Sequence, residues 1–455
     1  MYNILLFLKN KEKNRYRMKD SLISFNSFEL PKSVQHASLW QSWLVCLSAS
    51  LFFFYEFIQM NMFDAISVPL MRAFHIQATQ LGQLSSFYFI SNVIFLFPAG
   101  MLLDRYSTRK IILSSLSICI FGITAFALTT SLFWACIFRF LMGIGSAFCF
   151  LSVIRLATRW FPLSRLALVT GVIVTMAMLG GIAAQTPLSL LVKILSWRKV
   201  LLIDVAFGCL IFLIITRVVR DFPHNYDKYH CLKHQKINDA EYWKSIGSAF
   251  LKLQNWLGGI YTCLMNLPLS LLGGIWGVLY LTDAHHISKI EATYITSMLF
   301  MGTVVGGPLV GFLSDKIGLR RLPMLVGAFL SLSLVLSVIE IPNLSFFSLL
   351  MLFLAVGLTT SSQVIGYTMV AENSLPAITA MSVSVVSITT MGGQAIFQPL
   401  FGRLMDLHVI YFHHSIGIYL ASDFHWAMLI LPIGFLIALG VALFLRETHY
   451  HSHFQ

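Results

Sequence analysis

A short polar phrase occurs twice in this chain, each time at the end of a long apolar stretch. The first copy is Gly100-Met101-Leu102-Leu103-Asp104-Arg105, closing on Arg109-Lys110; the second is Gly311-Phe312-Leu313-Ser314-Asp315-Lys316, closing on Arg320-Arg321. The copies stand 211 positions apart, Gly100 to Gly311, in a chain of 455 residues. A charged turn repeated at nearly half the chain length constrains the fold to two related halves. Each half leaves the same apolar layer at the same point. Repeated helical halves of this kind underlie alternating access in secondary transporters.

The apolar layer is a lipid bilayer. Hydrophobic residues make up 57% of the chain and charged residues 11%, against about 25% charged in a soluble domain. Mean hydropathy is +0.78. The net charge of +12 sits in short loops between apolar stretches, which marks membrane topology and not a nucleic-acid face. Six of the seven Cys (Cys46, Cys119, Cys136, Cys149, Cys209, Cys263) fall in apolar segments. They read as packing residues, with no disulfide framework and no metal spacing. Residues 2–8 are too short an apolar run for a cleaved signal peptide. The basic run 9–19 reads as a solvated tail near anionic headgroups.

A membrane helix takes about 20 apolar residues. Twelve segments qualify: 43–67, 79–103, 111–129, 132–154, 166–190 and 200–216, then 256–281, 292–313, 322–339, 344–370, 376–401 and 424–445. The expected fold is an all-α membrane protein of two pseudo-symmetric six-helix bundles. Its parts are a basic tail (1–42), an N-terminal bundle (43–216), a polar linker (217–255), a C-terminal bundle (256–446) and a His-containing tail (447–455). With the N-terminus inside, the inner segments hold 24 Lys/Arg and the outer ones six. That bias predicts both termini in the cytoplasm.

Several motifs resemble the major facilitator superfamily. The two turns match its signature between helices 2 and 3 and between helices 8 and 9. Arg139-Phe140-Leu141-Met142-Gly143-Ile144-Gly145-Ser146-Ala147 matches its helix 4 pattern. Ser196-Trp197-Arg198 resembles its lead into helix 6, and Gln398 to Asp406 its helix 11 exit. The resemblance implies gating roles for Gly100, Asp104, Arg105, Arg109, Gly311, Asp315, Lys316 and Arg320. Gly100 and Gly311 are expected to let helices approach closely. Ser107 stands where the signature has Gly, so the first turn is expected to be slightly strained.

Ionisable groups at bilayer depth are costly and mark function. Glu56 lies mid-way along helix 1, roughly 20 Å from its inner start, and Arg139 enters helix 4 from the other side, roughly 10 Å below the outer edge of a ~30 Å core. Their similar depth allows a pair. Three roles compete for it: a structural bond, a proton site at Glu56 that exchanges Arg139 for a proton, or a clamp on a zwitterionic solute. Gln59 shares the face of Glu56. Asp64 and Asp204 lie further out and read as structural or gate residues. In the second half, Asn266, Trp276, Gln363 and Gln394 are neutral candidates for a substrate cavity. Glu372 reads as a cytoplasmic gate residue.

Absences narrow the solute. Organic-phosphate exchangers of the superfamily use Arg on helices 1 and 7, and nitrate carriers use Arg on helices 2 and 8; none is present. The drug-antiporter pattern on helix 5 fails, because Gly180-Gly181 is separated from Pro187. No phosphate-binding loop and no nucleophile arrangement occurs, so neither an ATP-driven pump nor an enzyme is expected, and no cofactor or metal. The reading is a monomeric, proton-coupled importer in a bacterial inner membrane. It would carry a small neutral or zwitterionic metabolite: an amino acid, short peptide or sugar acid. The alternatives are a drug or metabolite:proton antiporter and a transporter-like nutrient receptor.

Overall fold

A helix satisfies its own backbone hydrogen bonds, so it can cross hydrocarbon where an irregular chain cannot. This chain repeats that unit. The computed structural model describes residues 39–161, 165–223, 247, 249–341, 344–374, 379–412 and 419–448, without the side chains of residues 104, 105, 166, 167 and 379–381. The basic run 9–19, most of the central linker, His413-His414 and His449, His451 and His453 lie outside the described residues.

The first half comprises α1 (Leu39–Phe74), α2 (Ala78–Arg105), α3 (Thr108–Leu128), α4 (Leu132–Trp160), α5 (Leu168–Ile194) and α6 (Trp197–Val218). The second half opens with Leu253–Met265, which runs through Asn266 into α7 (Leu267–Ala284). It continues with α8 (Lys289–Ile317), α9 (Arg321–Glu340), α10 (Phe346–Glu372), α11 (Thr379–Tyr411) and α12 (Ala421–Phe444). No strand occurs among the described residues. Eleven helices there are long and apolar enough to cross a membrane. The remaining one, α11, has 33 residues and carries Gln394, Gln398, Thr389 and Thr390, which dilute its apolar character. The protein is a multi-pass membrane protein.

Packing repeats with the sequence. α1 lies on α5, α2 on α4 and α3 on α6; in the second half α7 lies on α11, α8 on α10 and α9 on α12. Glycine sets the close crossings. A Cβ on Gly143 of α4 would lie 2.1 Å from the Tyr88 carbonyl oxygen of α2, and one on Gly357 of α10 would lie 2.3 Å from the Leu299 carbonyl of α8. A methyl group at either position would push its helix pair apart.

Between the halves, α2 runs along α11, α5 along α8, and α1 against α7. The two ends of this seam differ. Near the outer face, a Cβ on Gly82 would be 2.6 Å from Pro399 Cα, and one on Gly402 2.4 Å from the Ala78 carbonyl. Near the inner face, a Cβ on Gly171, Gly307 or Gly311 would meet nothing within 4 Å, and one on Gly100 only Leu151 of its own half at 4.0 Å. The outer ends are closed and the inner ends apart. The close approach expected at Gly100 and Gly311 is therefore absent in this conformation.

The turns also depart from expectation. Gly318 takes φ 73° at the end of α8, a left-handed conformation that favours glycine. Ser107 instead takes φ −61° and ψ 123° and caps α3, its hydroxyl accepting the Lys110 N–H. The first turn is unstrained, because Ser is a favoured cap in ordinary extended backbone.

Candidate proton and solute site

The α2–α4 crossing at Gly143 places Tyr88 against Arg139 and both against α1. Glu56 and Arg139 are buried, at 2% and 0% exposure. They form no ion pair among the described residues; Tyr88 stands between them. Its hydroxyl donates to Glu56 Oε2 at 2.9 Å and lies 2.7 Å from Ser146 Oγ. The Arg139 guanidinium rests over the rings of Phe63 and Tyr88, at 4.3 and 4.7 Å. Its Nη1 donates to the Gln59 carbonyl at 2.8 Å. Gln59 Nε2 in turn donates to Asp204 Oδ2 on α6 at 2.5 Å. Asn92 Nδ2 reaches Ser146 Oγ at 3.1 Å. A continuous polar chain thus runs from α6 through α1, α4 and α2.

Glu56 Oε1 and Arg139 Nε and Nη2 are buried without a partner. Tyr88 carries one hydroxyl proton, so giving it to Glu56 obliges Ser146 to donate back to Tyr88. If Glu56 is protonated the two bonds reverse. The cluster can therefore take either protonation state of Glu56 by rotating hydroxyls, without moving a helix. Nothing in the sequence marked Tyr88, since it looks like any aromatic in an apolar run.

The second-half candidates divide. Asn266, Gln363 and Gln394 bond no other described residue through their side chains, and none of their polar atoms is sealed from solvent. These amides are uncommitted among the described residues. Trp276 is not. It is fully buried, its ring stacked on Phe401 at 5.5 Å and 18°, and its indole N–H reaches the Gln398 carbonyl at 3.3 Å. The chain just before it, Leu272–Trp276, is a π-helical turn that frees carbonyls from the usual ladder. Gln185 Nε2 of α5 takes up the Gly273 carbonyl at 2.5 Å, and Gln398 Nε2 the Ser270 carbonyl at 3.1 Å.

The outer seam is held by carboxylates that accept backbone N–H groups of the opposite half. Asp406 of α11 accepts the Thr79 N–H at 2.8 Å and the Thr79 hydroxyl at 2.5 Å, both from the first turn of α2. Tyr419 donates to Asp406 at 2.7 Å and accepts the Ala78 N–H at 2.8 Å. Burial, reinforced by Asp406, holds the Tyr419 hydroxyl well above its ordinary pKa, so it stays a donor. Asp64 of α1 accepts the Val278 N–H of α7 at 2.9 Å.

The inner turns form two matching knots, each within its own half. In the first, Asp221, just past α6, accepts the Ser107 hydroxyl and the Arg109 N–H, the latter at 2.8 Å. Arg109 also donates to the Thr216 carbonyl. In the second, Glu447, just past α12, accepts the Arg320 N–H at 2.6 Å and the Arg321 N–H at 3.0 Å. Arg320 bridges Glu372 at 2.7 Å and Asp315 at 2.5 Å. Burial by itself would lower the Arg320 pKa, but its bonds to Glu372 and Asp315 outweigh that and raise it. Lys316 extends from the last turn of α8. The side chains of Asp104 and Arg105 lie outside the described residues.

Comparison with known proteins follows the same lines. The chain matches the Major Facilitator Superfamily over residues 45–249 and 258–455. It is 27% identical over 158 residues to an uncharacterised transporter of Bacillus subtilis, YybO, covering 34% of this chain and 36% of that protein. It is 24% identical over 319 residues to the probable galactarate/D-glucarate transporter GudP of the same organism, covering 60% and 68%. It is 24% identical over 172 residues to the drug efflux pump JefA of Mycobacterium tuberculosis, covering 38% and 34%. Among solved structures, a bacterial homologue of the human lysosomal transporter Spinster, inward-facing and unoccupied, superposes with TM-score 0.72 at 19% identity, covering 90% of this chain and 98% of that one.

Proposed function

Because the chain belongs to the major facilitator superfamily, we propose that it is a proton-coupled importer of a small carboxylated metabolite, with sugar acids first among the classes the sequence left open. Bundles 43–216 and 256–446, joined by the linker 217–255, rock about a midplane site in a bacterial inner membrane. The protein works as a monomer with a solute and a proton as its partners.

One observation carries the reading. A buried acid and a buried guanidinium share one tyrosine, yet each keeps bare polar atoms: Glu56 Oε1, Arg139 Nε and Arg139 Nη2. A buried charge left unsatisfied is costly, so the arrangement suits a site whose occupancy changes during a cycle. Glu56 holds the proton. On its release, Arg139 compensates the carboxylate through Tyr88. The open amides of Asn266, Gln363 and Gln394 suit hydroxyl groups, and Arg139 is the cation a carboxylate would seek once the site occludes. The similarity to GudP, a probable galactarate/D-glucarate transporter, supports this order. The gate residues Gly100, Asp104, Arg105, Arg109, Gly311, Asp315, Lys316 and Arg320 keep each half rigid while the seam opens and closes.

The test is uptake by right-side-out vesicles of labelled galactarate, glucuronate and a panel of amino acids under an imposed pH gradient. Uptake of a sugar acid, lost in Glu56→Gln while counterflow survives, is expected. Unchanged gradient-driven uptake in Glu56→Gln would remove Glu56 as the proton site. The resemblance to JefA favours a second reading, a proton-driven exporter. Solute extrusion on acidifying the outside, with no uptake of any acid, would select it.

A further inference from the structure

Two carboxylates close the outer seam, and they are not alike. Asp406 is satisfied, with three donors shared between its two oxygens. Asp64 is fully buried, and only its Oδ1 is bonded, to the Val278 N–H; its Oδ2 has no partner. It lies on α1, in the part nearer the outer end. It meets the opposite half where the π-helical turn gives way to the segment Gly277–Ala284. The groups facing it are Gln185 from α5, the Gly277 and Val278 amides from α7, and Lys289 from α8, with Arg72 beside Lys289. Lys289 forms no ion pair with it among the described residues. Gln185 gives one N–H to the Gly273 carbonyl and accepts the Thr296 hydroxyl at Oε1, so only its second N–H is left for Asp64.

We propose that Asp64 is a second proton-binding site, one that licenses closure of the outer gate and is separate from the coupling proton. When the seam opens outward, α1 and α7 part and Asp64 meets outer water. Closing it while ionised would strand a charge with a bare oxygen at a dry interface. Closing it neutral leaves one oxygen accepting from Val278 and puts the proton on the other. Asp64 therefore takes one proton from the outer medium before closure. It returns that proton to the same side on reopening, because the closed seam offers it no route inward. The proton is not carried across and does not enter the transport stoichiometry. The inference rests on alternation of the halves and not on the role given to Glu56.

The experiment needs no solute; protons are the ligand. Nitroxide labels at Thr130→Cys and Ile341→Cys, in a background whose native cysteines are Ser, report the outer separation of the halves in nanodiscs. Both positions are exposed at outer ends. Distances are measured from about pH 5 to about pH 9, a range wide enough for a buried carboxyl. With Asp64 intact, the closed-to-open ratio should rise as pH falls, by up to about tenfold per pH unit for one linked proton. Asp64→Asn, a permanently neutral match, should stay closed at every pH, while Glu56→Gln keeps the pH response. Asp64→Glu, with its carboxyl one methylene further out, should keep the slope and move the midpoint. A flat response in the parent protein, or a parental response in Asp64→Asn, overturns the proposal. Loss of the response in Glu56→Gln alone assigns it to Glu56 and overturns the proposal equally. If Asp64→Asn fails to fold, an unmoved midpoint in Asp64→Glu overturns it.

Discussion

Replacing Asp406 by Ala should tip the molecule outward. In the closed seam its carboxylate receives the Thr79 N–H and the Thr79 hydroxyl across the two halves, at 2.8 and 2.5 Å. A hydrogen bond to a charged group is worth about 1.5–3 kcal/mol, and an anion at a helix N-terminus about 0.3–1 kcal/mol more. Asp406 is half-buried, so the lower end applies, and two bonds give about 3 kcal/mol. All of it is specific to the closed seam, since opening returns both donors to water. At 1.4 kcal/mol per tenfold, the closed-to-open ratio should fall by about 100-fold. Spin-label distances across the outer face would read this as a second, longer population. Asp423 supplies the control: it bonds His408 at 2.6 Å and the Leu420 N–H at 2.7 Å, wholly within the second half. Asp423→Asn should lower thermal stability and leave the distances alone. If Asp406→Ala leaves the distribution unchanged, or Asp423→Asn moves it as far, the cross-half bonds do not hold the seam.

Other expectations follow from single contacts. Gly82→Leu sets side-chain atoms where Pro399 Cα would lie 2.6 Å from a Cβ, so the outer seam should fail to close and transport should stop while the protein still folds. Tyr88→Phe keeps the ring under Arg139 but removes the bond to Glu56; gradient-driven uptake should drop several-fold with counterflow retained, and equal loss of both would argue for a purely structural Tyr88. Arg320→Lys cannot span Glu372 and Asp315 together; a loss of about 2 kcal/mol should appear as a lower melting temperature, and an unchanged one would show the inner knot to be idle. His285, whose Nε2 lies 3.0 Å from Tyr280 Oη, has its pKa lowered by burial and then by His286. Protons therefore favour the unfolded chain. Its contribution is full above the ordinary His value of about 6.5 and shrinks as pH falls below it. His285→Gln should flatten that part of the melting profile, and a profile as steep as the parent's would assign the slope elsewhere.

The halves were legible because the repeat is written in polar letters that a bilayer does not allow elsewhere. The turn at Gly100 recurs at Gly311, and the structure places both copies at inner helix ends, each tied by its own half. Their capping acids escaped, although they play the same part. Asp221 and Glu447 are 226 positions apart and the turns 211. Only two residues separate α5 from α6, against nine between α11 and α12, so a fixed offset misses the pair. All twelve helices were legible by hydropathy; even in α11, Thr389 and Thr390 turn back onto their own helix and Gln398 onto Ser270 of α7.

What stayed hidden in the site shares one cause. A sequence shows which side chains can ionise, and Glu56, Arg139 and Asp64 stood out for that reason. It does not show which donors a tertiary crossing brings to them. Tyr88 meets Glu56 and Arg139 where Gly143 lets α2 sink onto α4, and Trp276 is sealed where the π-turn brings its ring against Phe401. The three acids at membrane depth end in three different states of satisfaction for the same reason. Asp204 receives Gln59, Glu56 receives Tyr88 on one oxygen, and Asp64 receives a single backbone N–H from the opposite half. Only the last of these bonds must break each time the outer seam opens. An acid whose only bond is broken and remade by the conformational change is the one whose protonation the change must sense.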